Sequence, residues 1–149
     1  MLPPEYDDEY RTCVETYATL TIYSDDIEPD EITSIIGTAP TQTFRKGEVR
    51  TTHPAAKHPN YQMHGWFYST KDMSGSRDCR RHLDMLIDGP LKVASVTDAL
   101  RARGCSLDIS IFYVYRGGGP TISPHQMSRL AEANIDVWWD LYRDSEDDV

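Results

Sequence analysis

The sequence predicts an α+β domain: a single mixed or antiparallel sheet covered by helices, in a ferredoxin-like or a duplicated split βαβ arrangement. Three observations lead there. Period-two hydrophobic runs interleave with helical-period runs in the order β-α-β-β-α-α-β-α-β. The strand-like runs bury mainly one face and the helix-like runs one stripe, as one sheet packed under helices requires. The two ends also look alike: each is a strand, a loop, a proline-started helix, a glycine or asparagine stop and a strand, which hints at related halves.

The first strand is predicted over Glu15 to Tyr23, with Ala18, Leu20 and Ile22 on one face and Tyr17, Thr19, Thr21 and Tyr23 on the other. Pro29 suits a first helical position, and Ile32, Ile35 and Ile36 follow helical spacing until Gly37. Thr41 to Phe44 and Tyr61 to Thr70 read as two strands paired across a long connection. A helix over Ser76 to Asp88 would bury Cys79, Leu83, Leu86 and Ile87 before Gly89-Pro90 stops it. The next, Ser95 to Arg103, would bury Val96, Ala99 and Leu100. Cys105 to Tyr115 is the clearest strand; it turns Leu107, Ile109, Ile111 and Tyr113 one way and Asp108, Ser110 and Phe112 the other. Ser123 as N-cap and Pro124 open a helix whose apolar face is expected at Met127, Leu130 and Ala131, with Asn134 closing it. In the last strand, from Ile135 to Tyr142, Asp136, Trp138, Asp140 and Tyr142 share one face.

A chain of 149 residues suits one domain. The ordered core is expected over about residues 15–143, between acidic ends, PPEYDDEY and RDSEDDV, read as solvated. Twenty-four acids against 15 bases give a net charge of -9, which disfavours nucleic acid and favours a basic partner. Three cysteines without a CxxC pair suit a reducing cytoplasm. No signal-like start and no membrane-spanning apolar run is read.

The glycine run in YRGGGPTISP has neither the lysine nor the spacing of a phosphate-binding loop, so it is expected to be a strand-to-helix corner. His53, His58, His64, Cys79 and His82 are the one concentration of metal-ligand types, but they fall in no CxxC or HExxH frame, and no metal or other cofactor is expected. No GxSxG occurs, and free cysteines more often serve as small apolar core residues. Asp25 and Asp26 are adjacent, which points their carboxylates apart and suits a turn better than an acid–base pair. The face with Asp136, Trp138, Asp140 and Tyr142 interleaves carboxylates with aromatics. It is either an exposed interaction surface or a face closed by helices over Trp138.

The residues TLTIYSDDIEPDEITSIIGTAPTQTFRKGE and RARGCSLDISIFYVYRGGGPTISPHQMSRLAEANIDVWWDLY form an ordered series. Its marks are Ser24-Asp25-Asp26, Pro29, Lys46-Gly47, Gly117 to Pro120 and Ile135 to Tyr142. This series resembles the bacterial family catalogued as domain of unknown function 4279, over Thr16 to Tyr142. Some relatives look like immunity proteins of toxin systems, so the resemblance implies a non-enzymatic protein that binds and occludes a basic toxin or effector. A small-ligand-binding regulatory domain is the alternative. The expected partner contacts are Asp25, Asp26 and Glu28, then Tyr115, Gly117, Gly118 and Gly119, and on the last strand Asp136, Trp138, Asp140 and Tyr142.

Overall fold

A computed structural model describes residues 5–50 and 59–145. In chain order the elements are β1 (Cys13–Ser24), α1 (Pro29–Ile36), β2 (Gln42–Phe44), β3 (His64–Ser69), α2 (Cys79–Asp88), α3 (Val96–Ala102), β4 (Ser106–Tyr115), α4 (Pro124–Ala133) and β5 (Val137–Arg143). The strands form one open sheet in the order β2-β3-β1-β4-β5. The pairs β2·β3, β3·β1 and β1·β4 are antiparallel, and β4·β5 is parallel. The α+β expectation therefore holds. The first four strands have the ferredoxin-like order, in which two split βαβ units interleave.

The last unit does not repeat the first. After α1 the chain leaves a gap that β3 fills between β1 and β2, whereas after α4 it sets β5 directly beside β4. Two ends with the same local sequence grammar thus have different topology.

The period-two pattern decides which side of the sheet the helices cover. Ala18, Leu20 and Ile22 of β1, Trp66 of β3, and Ile109, Ile111 and Tyr113 of β4 are fully buried. They share one core with Ile32 of α1, Leu83 and Leu86 of α2 and Leu100 of α3. Trp66 satisfies its indole N–H by donating to Thr33 Oγ1 at 3.0 Å. Helix ends follow their residues: Gly37 closes α1 at φ 78°, Asp78 accepts the Arg80 N–H at the start of α2, and Asn134 closes α4 at φ 52°. Ser123 and Pro124 open α4 as expected, and Gln126 accepts the Ser123 N–H through its side chain at 3.2 Å.

Two helix faces differ from the sequence reading. In α4, Met127 is 55% exposed and Ala131 is exposed, while Gln126 and Ala133 are buried. The polar side chain wins because Gln126 Nε2 donates to Asp84 of α2 at 2.9 Å, which turns that side of the helix inward. In α3, Val96 and Leu100 are buried as expected, but Thr97 rather than Ala99 joins them, and its hydroxyl donates to the Ala133 carbonyl at 2.8 Å.

The acids of the N-terminal stretch, Glu5, Asp7, Asp8 and Glu9, are exposed as expected, but the segment is also tied to the fold. Tyr6 donates its hydroxyl to Asp84, the Asp7 N–H donates to Asp78 at 2.8 Å, and Asp8 pairs with Arg81 at 2.7 Å. Arg81 also lies 4.3 Å from the Tyr6 ring centroid. Residues 5–10 are a strap fastened across α2 and towards α4. Among the described residues, no helix is long and apolar enough to cross a membrane.

Candidate functional site

The side of the sheet away from the helices carries the opposite set of alternating residues. Register aligns Tyr17 of β1 with Phe112 of β4, and Phe112 with Asp140 of β5. The neighbouring row runs through Thr19, Ser110 and Trp138, and the next joins Phe67 of β3 to Thr21 and Asp108. Asp136, just before β5, follows the same parity beside Asp108, since the Ile109 N–H donates to the Asp136 carbonyl at 2.9 Å. Trp138 and Tyr142 are each 49% exposed. The expected grouping of Asp136, Trp138, Asp140 and Tyr142 is therefore present, and it lies on the uncovered face.

Aromatic rings form two clusters along this face. Tyr17 stacks on Phe112 with centroids 4.7 Å apart, and Phe112 meets Tyr142 at 5.2 Å. Nearer the β2 edge, Phe44 stacks on Tyr61 at 3.8 Å and tilts against Phe67 at 5.3 Å. Each cluster already holds a cation of the chain: Lys71 Nζ lies 5.5 Å from the Tyr17 ring centroid and the Arg50 guanidinium 5.6 Å from that of Tyr61. Between them is a shallow depression of about 400 Å³ lined by Tyr17, Phe67, Asp108, Phe112, Trp138 and Asp140, among others.

The carboxylates here are held by aromatic donors. Partial burial raises the Asp108 pKa above the usual carboxylate value, the Trp138 indole N–H opposes that rise by hydrogen bonding, and the Asp136 charge adds to it. Tyr142 bonds to Asp140, which pushes the Tyr142 pKa up. Among the described residues, no lysine, arginine or histidine pairs with Asp108, Asp136 or Asp140. The face thus offers fixed negative charge beside π-faces, a combination that attracts ammonium and guanidinium groups.

The other expected contacts lie elsewhere. Asp25, Asp26 and Glu28 follow the C-terminal end of β1; Asp25 pairs with Lys46 at 3.4 Å and Glu28 meets Arg45 at 3.9 Å, both at the surface. Asp26 sits against Gly104, whose φ is +82°. Tyr115 and the glycine run lie at the opposite end of β1, where Cys13 pairs with Tyr115, roughly 30 Å away along the strand. There Gly117 takes a left-handed φ of 73°, Gly118 packs close to Thr12, and the Gly119 carbonyl accepts from Thr12 Oγ1 at 3.0 Å and from Tyr10 at 3.3 Å. The corner is pinned by the chain's own N-terminal segment. The structure does not gather these three groups into one site.

Of the metal-ligand types, His53 and His58 lie outside the described residues. His82 is fully buried, donating Nε2–H to the Ser76 carbonyl at 2.8 Å and meeting the Thr70 hydroxyl through Nδ1 at 2.6 Å. His64 Nδ1 accepts the Lys46 N–H at 3.1 Å, and burial pushes the Cys79 thiol up to about 12. Among the described residues, no group of three or more His, Cys, Asp or Glu side chains is placed to hold a metal ion.

Asp108, Tyr17, Phe67 and Phe112 were not among the expected contacts. Strand parity placed Asp108 with Phe112 and Tyr17 with Thr19 within their own strands, but only the register between strands puts them on one face with Trp138.

A family model described as "Domain of unknown function (DUF4279)" matches residues 14–144. Neither the search of curated proteins nor that of solved structures found a significant match.

Proposed function

From the premise that the chain belongs to the DUF4279 family of domains of unknown function, we propose that it is a non-enzymatic binding protein whose open sheet face docks a basic protein partner. The observation that carries this reading is the set of three aspartates, Asp108, Asp136 and Asp140, without a basic side chain among the described residues and set beside Trp138, Phe112 and Tyr142. Aromatic side chains serve as interface anchors, and acids steer a partner of opposite charge. A net charge of -9 extends that attraction beyond contact range. The concrete form of the reading is an immunity-type protein that occludes a bacterial toxin or effector. Three free, buried cysteines suit action in a reducing cytoplasm.

The small-ligand alternative has less support, because the depression is shallow and ligand sites enclose most of their ligand's surface. The test is retrieval of partners from the native host with wild-type protein and with Asp108→Asn/Asp136→Lys/Asp140→Lys. A basic protein held by the wild type, released by salt and lost in the triple variant is the expected result. If it binds both proteins equally, the open face is the wrong surface; if only a metabolite co-purifies, the reading itself fails.

A further inference from the structure

The two edges of the sheet are unequal. The β2 edge is three residues long and is followed at once by Arg45 and Lys46, the short, basic kind of edge that discourages added strands. The β5 edge runs for seven residues, Val137–Arg143, without proline or lysine.

Its backbone direction follows from two hydrogen bonds. The Ile109 N–H donates to the Asp136 carbonyl at 2.9 Å, and the Asp144 N–H donates to the Tyr115 carbonyl at 3.0 Å. In a parallel ladder the residues between alternate, so Trp138, Asp140 and Tyr142 also turn their backbone groups to β4. Val137, Trp139 and Leu141 turn theirs outward, and among the described residues nothing hydrogen-bonds to them there. Leu141, at 52% exposed, also stands on the helix-covered side beyond the reach of the core.

Resting on the function proposed above, we infer that β5 is a strand-addition edge, and that its occupant is an extended partner segment in which basic and apolar residues alternate. A strand laid along β5 takes its main-chain hydrogen bonds from Val137, Trp139 and Leu141. Its side chains then alternate between two chemically different sides. On the open side they meet Asp136 and Asp140 beside Trp138 and Tyr142, which suits arginine or lysine. On the other they meet Val137 and Leu141, which suits valine or isoleucine. Charge complementarity selects such a segment over a second copy of this chain, which would set a second charge of -9 against the first.

The probe is a capped decapeptide of alternating arginine and valine, compared with its block isomer of five arginines followed by five valines. The alternating peptide is expected to bind the full chain about tenfold more tightly than the block isomer, and to slow hydrogen exchange at the Val137, Trp139 and Leu141 amides. Leu141→Pro, which removes one outward N–H from an edge position that tolerates proline, is expected to lose that preference while keeping the wild-type circular dichroism. Should the variant unfold, the exchange measurement on the wild type stands alone. Equal binding of the two isomers, or tight binding without slowed amides, overturns strand addition but leaves docking by charge intact. Binding of neither peptide removes the inference, and failure of a natural basic partner to depend on the aspartates removes the function beneath it. Protection of the same amides without peptide, with twice the monomer mass, would assign the edge to a second copy instead.

Discussion

On the helix-covered side of the sheet, Asp84 is 3% exposed and receives Gln126 Nε2 at 2.9 Å, Arg129 Nη1 at 3.1 Å and the Tyr6 hydroxyl. On the open side, Asp108 and Asp140 find aromatic donors in Trp138 and Tyr142, and among the described residues no cation pairs with them or with Asp136. The same residue type is thus put to two uses. Inside, both carboxylate oxygens accept from protein donors, and the acid helps to fasten the strap, α2 and α4. Outside, no basic side chain of the described residues pairs with the carboxylates.

Breaking the inner arrangement should have the largest effect. Asp84→Ala leaves the buried Gln126 amide and the Tyr6 hydroxyl without their acceptor and the Arg129 guanidinium with Asp88 alone, and a loss of about 3 kcal/mol is expected by urea unfolding. Tyr6→Phe removes a hydrogen bond to a carboxylate and should cost about 1.5 kcal/mol. Burial holds the Tyr6 hydroxyl up at about 12, with Asp84 adding to the shift, so it remains a donor at neutral pH.

His82 sharpens the comparison through pH. Burial lowers its pKa in the fold, so below the unfolded value of about 6.5 the unfolded chain binds the extra proton first. Stability therefore falls as pH drops through about 6.5, and His82→Gln should flatten the Tm-against-pH curve in that window.

The smallest effect is expected on the open side, with the opposite sign. Asp108 has a raised pKa, so its stabilising contribution is present below the unfolded carboxylate pKa and is lost as pH rises through the folded value. Asp108→Asn should raise Tm at pH 7 by less than about 3 °C and give no rise near pH 3. A fall in Tm at pH 7 would mean that Asp108 already has a stabilising role within the chain.

Much of the fold could be read directly because it is locally encoded. Pro29 with Gly37, and Ser123-Pro124 with Asn134, bracket their helices through backbone geometry that neighbouring residues dictate. Alternation in Cys105 to Tyr115 separates core from surface without knowledge of any partner strand. What could not be read depends on distant pairing. Gln126 is buried because Asp84 lies 42 residues earlier in sequence, and no pattern within α4 announces that. The acids of residues 5–10 are exposed, as acids usually are, but that Arg80 and Arg81 of α2 hold Glu5 and Asp8 in place depends on contacts more than 70 residues apart. The candidate face had its parities visible strand by strand, yet its membership depends on which side the helices cover, and that is a property of the whole chain.

The central place of β1 also governs the order in which the protein can be made. Its antiparallel partners are residues 64–69 and 106–115, so during synthesis the first strand leaves the ribosome long before either neighbour exists. The run YATLTIY carries no charge and has strong strand preference, the composition that associates with other chains when left unpaired. A nascent chain can cover one side of this segment once β3 has emerged, but its other edge stays open until β4 follows, and a holding chaperone on the ribosome-bound intermediate would act on the strand that later lies at the centre of the sheet.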